Sequence, residues 1–115
     1  MNKFSIDYSN KIQALIKKII KEESNKISIA ANIIKESYLK GGQLYVFGTG
    51  HSHMMAEESF HRAGGFAAAC PILDSNIDFS KGAEKATKLE RTPNIAKKVL
   101  AKYKIRQKDV MIIFS

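Results

Sequence analysis

Three short apolar segments rich in β-forming residues alternate with segments in which apolar residues recur at helical spacing. The apolar segments are residues 43–47, 66–73 and 110–114, and the chain has 115 residues in all. Short, wholly apolar strands separated by helices are typical of a parallel sheet that helices cover on both faces. The order helix, strand, helix, strand, helix, strand therefore predicts an α/β fold with a doubly wound parallel sheet.

A long N-terminal helical segment, residues 1–40, precedes the first strand. Its apolar residues include Ile12, Leu15, Ile16, Ile19 and Ile20, and Gly41-Gly42 ends the pattern. The spacing predicts either one helix or two joined near Ser24-Asn25. Because such a helix carries more apolar surface than one small sheet can cover, part of it is expected to pack on a second subunit.

The remaining helices are predicted over residues 52–63 and from Pro93 onward, while residues 75–91 give no firm element. Three strands make a small sheet for this architecture, and the chain ends just after the third. We therefore expect residues 1–115 to be the N-terminal portion of a single, larger domain, incomplete at its C-terminus. Within it, residues 1–40 are helical and residues 41–115 hold the first three strands and their helices.

The net charge of +8 is unevenly distributed along the chain. Residues 1–42 carry +4, residues 43–80 carry −3 and residues 81–115 carry +7, so the glycine-rich centre is the acidic part. Lysine-rich helical faces are usually solvated. Basic residues are not interleaved with aromatic ones along the chain, so no nucleic-acid partner is predicted. The apolar segments are too short to cross a bilayer, and the single Cys70 cannot form an internal disulfide. These features favour a cytoplasmic protein with one buried thiol.

The loop Gly48-Thr49-Gly50-His51-Ser52 follows the first strand and opens into a helix. Glycines there permit a tight turn and a close approach of backbone N–H groups to an anion. Alternatively, the glycines only make the turn and Ser52 only caps the helix. A dinucleotide fingerprint would need a third glycine where His53 stands, although Asp74 follows the second strand where a ribose-binding acid is expected.

Two stretches resemble the SIS (sugar isomerase) domain family. The first runs from Leu44 through the loop to Ala-Glu-Glu at 56–58 and continues into Phe-His-Arg-Ala-Gly-Gly at 60–65. It is similar to the corresponding stretch of bacterial SIS proteins that have a Gly-Thr-Gly-His-Ser-His loop. The second stretch runs from Leu89-Glu90-Arg91 to residues 109–115. The resemblance implies a flavodoxin-like, usually dimeric domain that binds phosphorylated sugars or amino sugars. It places Gly48, Thr49, Gly50, His51 and Ser52 in the first ligand loop, and Ser115 at the start of a second.

Relatives of this kind include aldose–ketose isomerases, sugar-phosphate lyases and regulators that sense phosphosugars. Isomerisation needs a base that moves a proton between adjacent carbons, for which the candidates are His51, Glu57 and Glu58. No cofactor is expected. The competing functions are a non-catalytic phosphosugar sensor, a structural dimer module and a dinucleotide-binding fragment.

A metal site is suggested by the helical spacing of His53, Glu57 and His61. Eight residues of helix span about 12 Å, whereas metal–nitrogen bonds measure about 2 Å. The three side chains therefore cannot share one ion in a straight helix. Two of them completed by His51, or by a segment outside this sequence, are the lesser alternative, and no metal is predicted.

Overall fold

The computed structural model describes residues 2–60 and 62–115. Its helices within that part of the chain are α1 (Lys3–Leu39), α2 (His53–Glu58), α3 (Ala83–Glu90) and α4 (Ile95–Leu100). Its strands are β1 (Leu44–Phe47), β2 (Ala69–Pro71) and β3 (Val110–Ile113), and a 3₁₀ turn at Gly50–Ser52 precedes α2. None of the helices described there has the length and apolarity required to cross a bilayer.

The three strands form one parallel sheet in the order β2-β1-β3. Leu44 lies opposite Ala69 on one side and Val110 on the other, so β1 is the central strand. The chain moves from β1 to one neighbour and then crosses to the other. This parallel sheet with its long N-terminal helix confirms the predicted α/β fold.

Helix α1 is continuous, without a break at Ser24-Asn25. It ends where Gly41 takes a left-handed backbone with φ of +71°. The amide of Gly42 donates to the carbonyl of Ser37 at 2.8 Å, and that of Gly41 donates to Tyr38 at 2.9 Å. This pair of bonds is the Schellman arrangement, in which glycine at the left-handed position satisfies the last carbonyls of a helix. Two compact units divide the chain: the first ends at Lys35, and the second is Glu36–Ser115.

Alternate residues of β1 point to opposite faces of the sheet and enter different apolar clusters. Tyr45 and Phe47 are buried together with residues of the β2–α4 region, namely Ile72, Ile77 and Val99. Val46 is buried on the other face with Ala56 of α2 and with Ala69. The period of two along a strand therefore gives both faces of the sheet a helical covering.

Several predicted bounds differ from the structure, and one helix was not predicted. Helix α4 begins at Ile95 rather than at Pro93, because Asn94 takes a left-handed backbone with φ of +62°. Helix α2 stops at Glu58 rather than 63, where the hydroxyl of Ser59 donates to the carbonyl of Ala56 at 2.7 Å and the chain turns. Strand β2 is limited to Ala69–Pro71 because β1 offers only a few residues for pairing. Helix α3 falls within residues 75–91, where no element was predicted, because it buries only the small side chain of Ala86.

Cys70 lies on β2 and packs against the Tyr45 cluster, but it is half-buried rather than buried as predicted. Burial raises the pKa of its thiol, which disfavours the reactive thiolate. The structure therefore gives Cys70 a packing role.

The turn before β3 is held by Asp109. Its carboxylate accepts hydrogen bonds from the backbone and guanidinium of Arg106 and from the amide of Gln43, the last at 2.9 Å. The guanidinium and the two amides outweigh burial and hold the pKa of Asp109 far below its ordinary value. One carboxylate thus joins the starts of β1 and β3.

Candidate functional site

The loop that follows β1 is a compact turn into α2. Thr49 keeps an extended backbone, and Gly50 takes a left-handed one with φ of +54°. The amide of Gly50 donates to the carbonyl of Ile77 at 2.7 Å, which ties the loop to the segment after β2. The conformation at Gly50 is one that residues with a Cβ rarely adopt.

Gly48 is required by the turn itself. A Cβ at this position would lie 2.5 Å from the carbonyl carbon of Ser52, 3.0 Å from the amide nitrogen of His53, and closer still to the carbonyl oxygen of Ser52. These are backbone atoms of the following turn, which cannot rotate away. The absence of a side chain at Gly48 is therefore explained by packing within the loop.

Two amides of the loop are used by the fold. Besides Gly50, the amide of Ser52 donates to the carbonyl of Thr49 at 3.0 Å, and that of His53 bonds within the 3₁₀ turn. Helix α2 has only six residues, so its dipole is small. A ligand at this loop would therefore need side-chain hydroxyls in addition to the remaining backbone amides.

The loop carries two side-chain hydroxyls, those of Thr49 and Ser52, that the fold does not use. Ser52 makes no side-chain capping bond to α2, and Thr49 makes none to the 3₁₀ turn. Neither hydroxyl has a hydrogen-bond partner among the described residues, and both side chains are half-buried. The interpretation of Ser52 as a simple cap is thus unsupported, and two hydroxyls are left to contact a ligand.

His51 is exposed, and its imidazole packs edge-on against Phe79, with ring centroids 4.6 Å apart. Phe79 belongs to the segment after β2, so His51 is held between two loops at the carboxyl end of the sheet. Its ring remains open to solvent and to a ligand.

Ser115 follows β3 at the same edge of the sheet. The register pairs Phe47 with Ile113, and the amide of Phe114 donates to the carbonyl of Phe47 at 2.9 Å. The crossover from β2 to β3 makes this edge a topological switch point, where open α/β sheets bind ligands. The structure therefore brings Ser115 and the Gly48–Ser52 region to the same edge.

The two candidate glutamates of α2 lie in different surroundings. Glu57 contacts the Nδ1 atom of buried His53 at 3.1 Å. Glu58 pairs with Arg62, as i,i+4 spacing allows, and lines an apolar groove that also contains Phe114. The sequence gave no reason to prefer one of these glutamates over the other, whereas in the structure their side chains have different partners.

Glu90 is a functional candidate that sequence reasoning missed. Its carboxylate lies against Gly50, since a Cβ on that glycine would come within 3.0 Å of the carboxyl carbon of Glu90. The side chain is exposed and has no hydrogen bond or ion pair with the described residues. The stretch Leu89-Glu90-Arg91 belongs to the family resemblance, which was the only signal in the sequence that could have identified this residue.

No group of His, Cys, Asp and Glu within the described residues is arranged to hold a metal ion. His61, part of the set considered from helical spacing, lies outside the described residues. The remaining pair, His53 and Glu57, contact one another directly.

Comparison with known proteins assigns the family. The chain matches the SIS domain over residues 7–115, which is nearly its full length. It belongs to the SIS domain family. Its relatives include UPF0309 proteins of Thermoanaerobacter pseudethanolicus, 39% identical over 112 residues, and of Halalkalibacterium halodurans, 35% identical over 109 residues. These alignments cover 96% and 95% of this chain but only 45% of each relative, so the chain spans less than half of their length.

The surroundings of Asp74 in this SIS domain bear on the dinucleotide alternative. Its carboxylate accepts hydrogen bonds from the amide of Asn76 at 2.9 Å and from its side chain at 2.7 Å, and it pairs with Lys102. Burial raises the pKa of Asp74, but these bonds outweigh it and the pKa lies below its ordinary value. An acid used in this way is poorly placed to bind a ribose.

Proposed function

We propose that this SIS domain binds the phosphate end of a phosphorylated sugar at the switch point of its sheet. The observation that carries the proposal is the meeting of the Gly48-Thr49-Gly50-His51-Ser52 loop with Ser115 at the carboxyl ends of β1 and β3. Thr49, Ser52 and Ser115 each bring a hydroxyl to this edge, and none of the three hydroxyls has a hydrogen-bond partner among the described residues. Hydroxyl donors at such a position suit the oxygens of a phosphate group.

For the whole protein, we propose an aldose–ketose isomerase or a related enzyme acting on sugar phosphates. The family supports sugar-phosphate binding in general, and an exposed imidazole and exposed carboxylates lie beside the loop. A phosphosugar sensor would share the binding site but would leave the substrate unchanged. Incubation of a bound sugar phosphate with the protein, followed by chromatographic analysis for its isomer, separates the two functions.

The exposed apolar side chains of α1 support a proposed homodimer. Large apolar residues that include Leu15, Ile16 and Ile20 are half or more exposed along this helix. Exposed apolar stretches of this length are typical of interaction surfaces.

The binding proposal is tested by thermal shift with glucose 6-phosphate, glucosamine 6-phosphate, fructose 6-phosphate, ribose 5-phosphate and NAD. A ligand that binds only the folded state raises the melting temperature with its concentration. Ser52→Ala and Thr49→Val should each weaken the response to the sugar phosphate that binds. Ser28→Ala, which removes an exposed hydroxyl from α1, is the matched control and should leave the response unchanged.

The same titration on the full-length Thermoanaerobacter pseudethanolicus relative provides a second readout. A sugar-phosphate response that persists unchanged in Ser52→Ala and Thr49→Val would contradict the loop assignment. A response to NAD alone would favour the dinucleotide alternative. If no sugar phosphate raises the melting temperature of this chain or of the relative, phosphosugar binding is refuted.

A further inference from the structure

A cavity of about 340 Å³ adjoins the inner side of the ligand loop. Gly50 contributes from the loop, His53 and Glu57 from α2, and Asp78 and Phe79 from the segment after β2. Phe79 also contacts His51, so the same aromatic ring borders the cavity and supports the loop. The cavity is therefore a direct neighbour of the proposed phosphate site.

His53 presents a polar atom that the fold leaves without a partner. Its side chain is only 2% exposed, and its Nε2 atom makes no hydrogen bond with any described residue. Buried polar atoms in folded proteins are nearly always hydrogen-bonded, and the exceptions concentrate at functional sites. The nitrogen is closed to solvent although its residue lines the cavity, so a ligand atom that enters the cavity and reaches Nε2 would supply the missing hydrogen-bond partner.

Glu57 determines which kind of ligand atom fits. Its carboxylate lies 3.1 Å from the Nδ1 atom of His53 and can only accept a hydrogen bond when it is ionised. In the neutral imidazole, the proton is thereby held on Nδ1, and Nε2 is left as an acceptor. The ligand atom that meets Nε2 must then be a hydrogen-bond donor.

The other charged group at the cavity is also an acceptor. One carboxylate oxygen of Asp78 accepts from the amide and the hydroxyl of Ser80, at 2.9 and 2.6 Å. The hydroxyl of Ser80, assisted by its amide, lowers the pKa of Asp78 despite partial burial, and this carboxylate remains ionised near neutral pH. With Glu57 and Asp78 both negative, the cavity repels a phosphate group and favours donors.

We infer that the His53–Glu57 pair and Asp78 form the subsite for a hydrogen-bond donor, a hydroxyl or an amino group, on the sugar whose phosphate contacts the loop. This inference rests on the proposed phosphosugar function. It assigns the loop hydroxyls to the anionic end of the ligand and the acceptor-lined cavity to its donor-bearing carbons. Glu57 then acts as a positioning residue that holds His53 in the accepting tautomer.

The first test observes the imidazole nitrogens of His53 in the unmodified protein. Long-range ¹H–¹⁵N NMR on chain labelled with ¹⁵N-histidine should show Nδ1 protonated and Nε2 unprotonated at neutral pH. Addition of glucosamine 6-phosphate or glucose 6-phosphate should shift the Nε2 resonance, whereas inorganic phosphate should leave it in place. Protonation on Nε2 in the free protein, or no shift with a sugar phosphate that binds, would overturn the inference.

Variants then separate the subsite from the phosphate site. His53→Phe keeps a ring but removes the acceptor, and should weaken sugar-phosphate binding by about tenfold while changing inorganic phosphate binding less than twofold. His53→Gln, which retains an acceptor, should recover part of the loss. Glu57→Gln removes the charge that holds the proton on Nδ1 of His53 and should also weaken sugar-phosphate binding. Glu84→Gln, which removes a carboxylate from another i,i+4 pair on α3, is its control and should leave that binding unchanged.

Asp78→Asn identifies the donor. A larger loss for glucosamine 6-phosphate than for glucose 6-phosphate indicates an amino group, and equal losses indicate a hydroxyl. An equal loss of phosphate and sugar-phosphate binding in His53→Phe, with folding intact by circular dichroism, would overturn the subsite.

Unphosphorylated glucosamine distinguishes failure of this inference from failure of the proposed function. A His53 shift with glucosamine but no binding of sugar phosphates would retain the donor subsite and refute the phosphate site. No response of His53 to any of these probes would refute the subsite.

Discussion

Substitution of Gly48 by alanine should destabilise the fold although no ligand is present. The added Cβ would lie 2.5 Å from the carbonyl carbon of Ser52 and 3.0 Å from the amide nitrogen of His53. Cβ atoms essentially never come within 3.0 Å of heavy atoms outside their own residue and its chain neighbours, so the turn into α2 must move. Because backbone atoms are the obstacle, we expect a loss of about 3 kcal/mol, at the upper end of the usual range for overpacking.

Gly64→Ala is the matched control. Gly64 has a φ of +78°, but a Cβ there would meet nothing within 4 Å. The control therefore carries backbone strain without a clash and should cost about 1 kcal/mol. For a chain of this size the two losses correspond to drops in melting temperature of about 12 and about 4 °C.

The measurement should report on the second unit, Glu36–Ser115, rather than on the long helix. The edge-on contact of Tyr45 and Tyr103, with ring centroids 6.2 Å apart, gives a near-ultraviolet circular dichroism signal for that purpose. Denaturant unfolding followed by this signal yields the two free energies. If Gly48→Ala is no less stable than Gly64→Ala, the packing explanation of the loop glycine is wrong.

Three further predictions concern the framework of the fold. The pKa of Asp109 in the folded protein is far below its ordinary value of 3.8, so its carboxylate stabilises the fold fully above pH 3.8, and this stabilisation is lost as the pH falls below 3.8. The free energy of unfolding of the wild type, measured between pH 5 and about 2, should therefore fall more steeply than that of Asp109→Asn. Tyr103→Phe removes the hydroxyl that donates to the carbonyl of Leu73 at 3.1 Å and accepts from its amide at 3.0 Å, and should cost about 1–2 kcal/mol in the same unfolding assay; an unchanged stability would contradict it. Sedimentation velocity should show a dimer that Ile16→Lys weakens and Lys17→Ser does not, whereas a monomeric wild type would refute association through α1.

The order of elements was accessible from sequence because strong local signals mark it. Gly41-Gly42 ends α1 through a defined left-handed turn, and the apolar strands lie on either side of loops rich in polar residues and glycine. Helix α3 was not identified because it has only eight residues and its only buried residue is the small Ala86, so its apolar side is weak beside its charged residues. The end of α2 was misplaced because a helical pattern continues beyond Glu58, where the hydroxyl of Ser59 bonds to the preceding turn.

Some residues of the candidate site could likewise be identified from the sequence and others could not. The loop was identified from its own residues, since glycine between a strand and a helix is a local feature. Asp78 and Glu90 were not, because they reach the loop from segments about 30 and 40 residues further along the chain. Their place depends on the crossover that returns the chain to the carboxyl edge of the sheet. The unpartnered Nε2 atom of His53 was likewise hidden, since burial of an imidazole depends on the packing of the whole unit.

The surroundings of the acidic residues narrow the choice of a proton carrier for the proposed isomerase. Glu58 is engaged by Arg62 beside an apolar groove, which removes it from the loop. Glu57 is engaged by His53 and fits the role of holding that imidazole in place. Glu90 lies against the loop, and among the described residues no donor or cation engages its carboxylate. Because a general base must reach the substrate with a free carboxylate, Glu90 meets the geometric requirement better than either glutamate of α2.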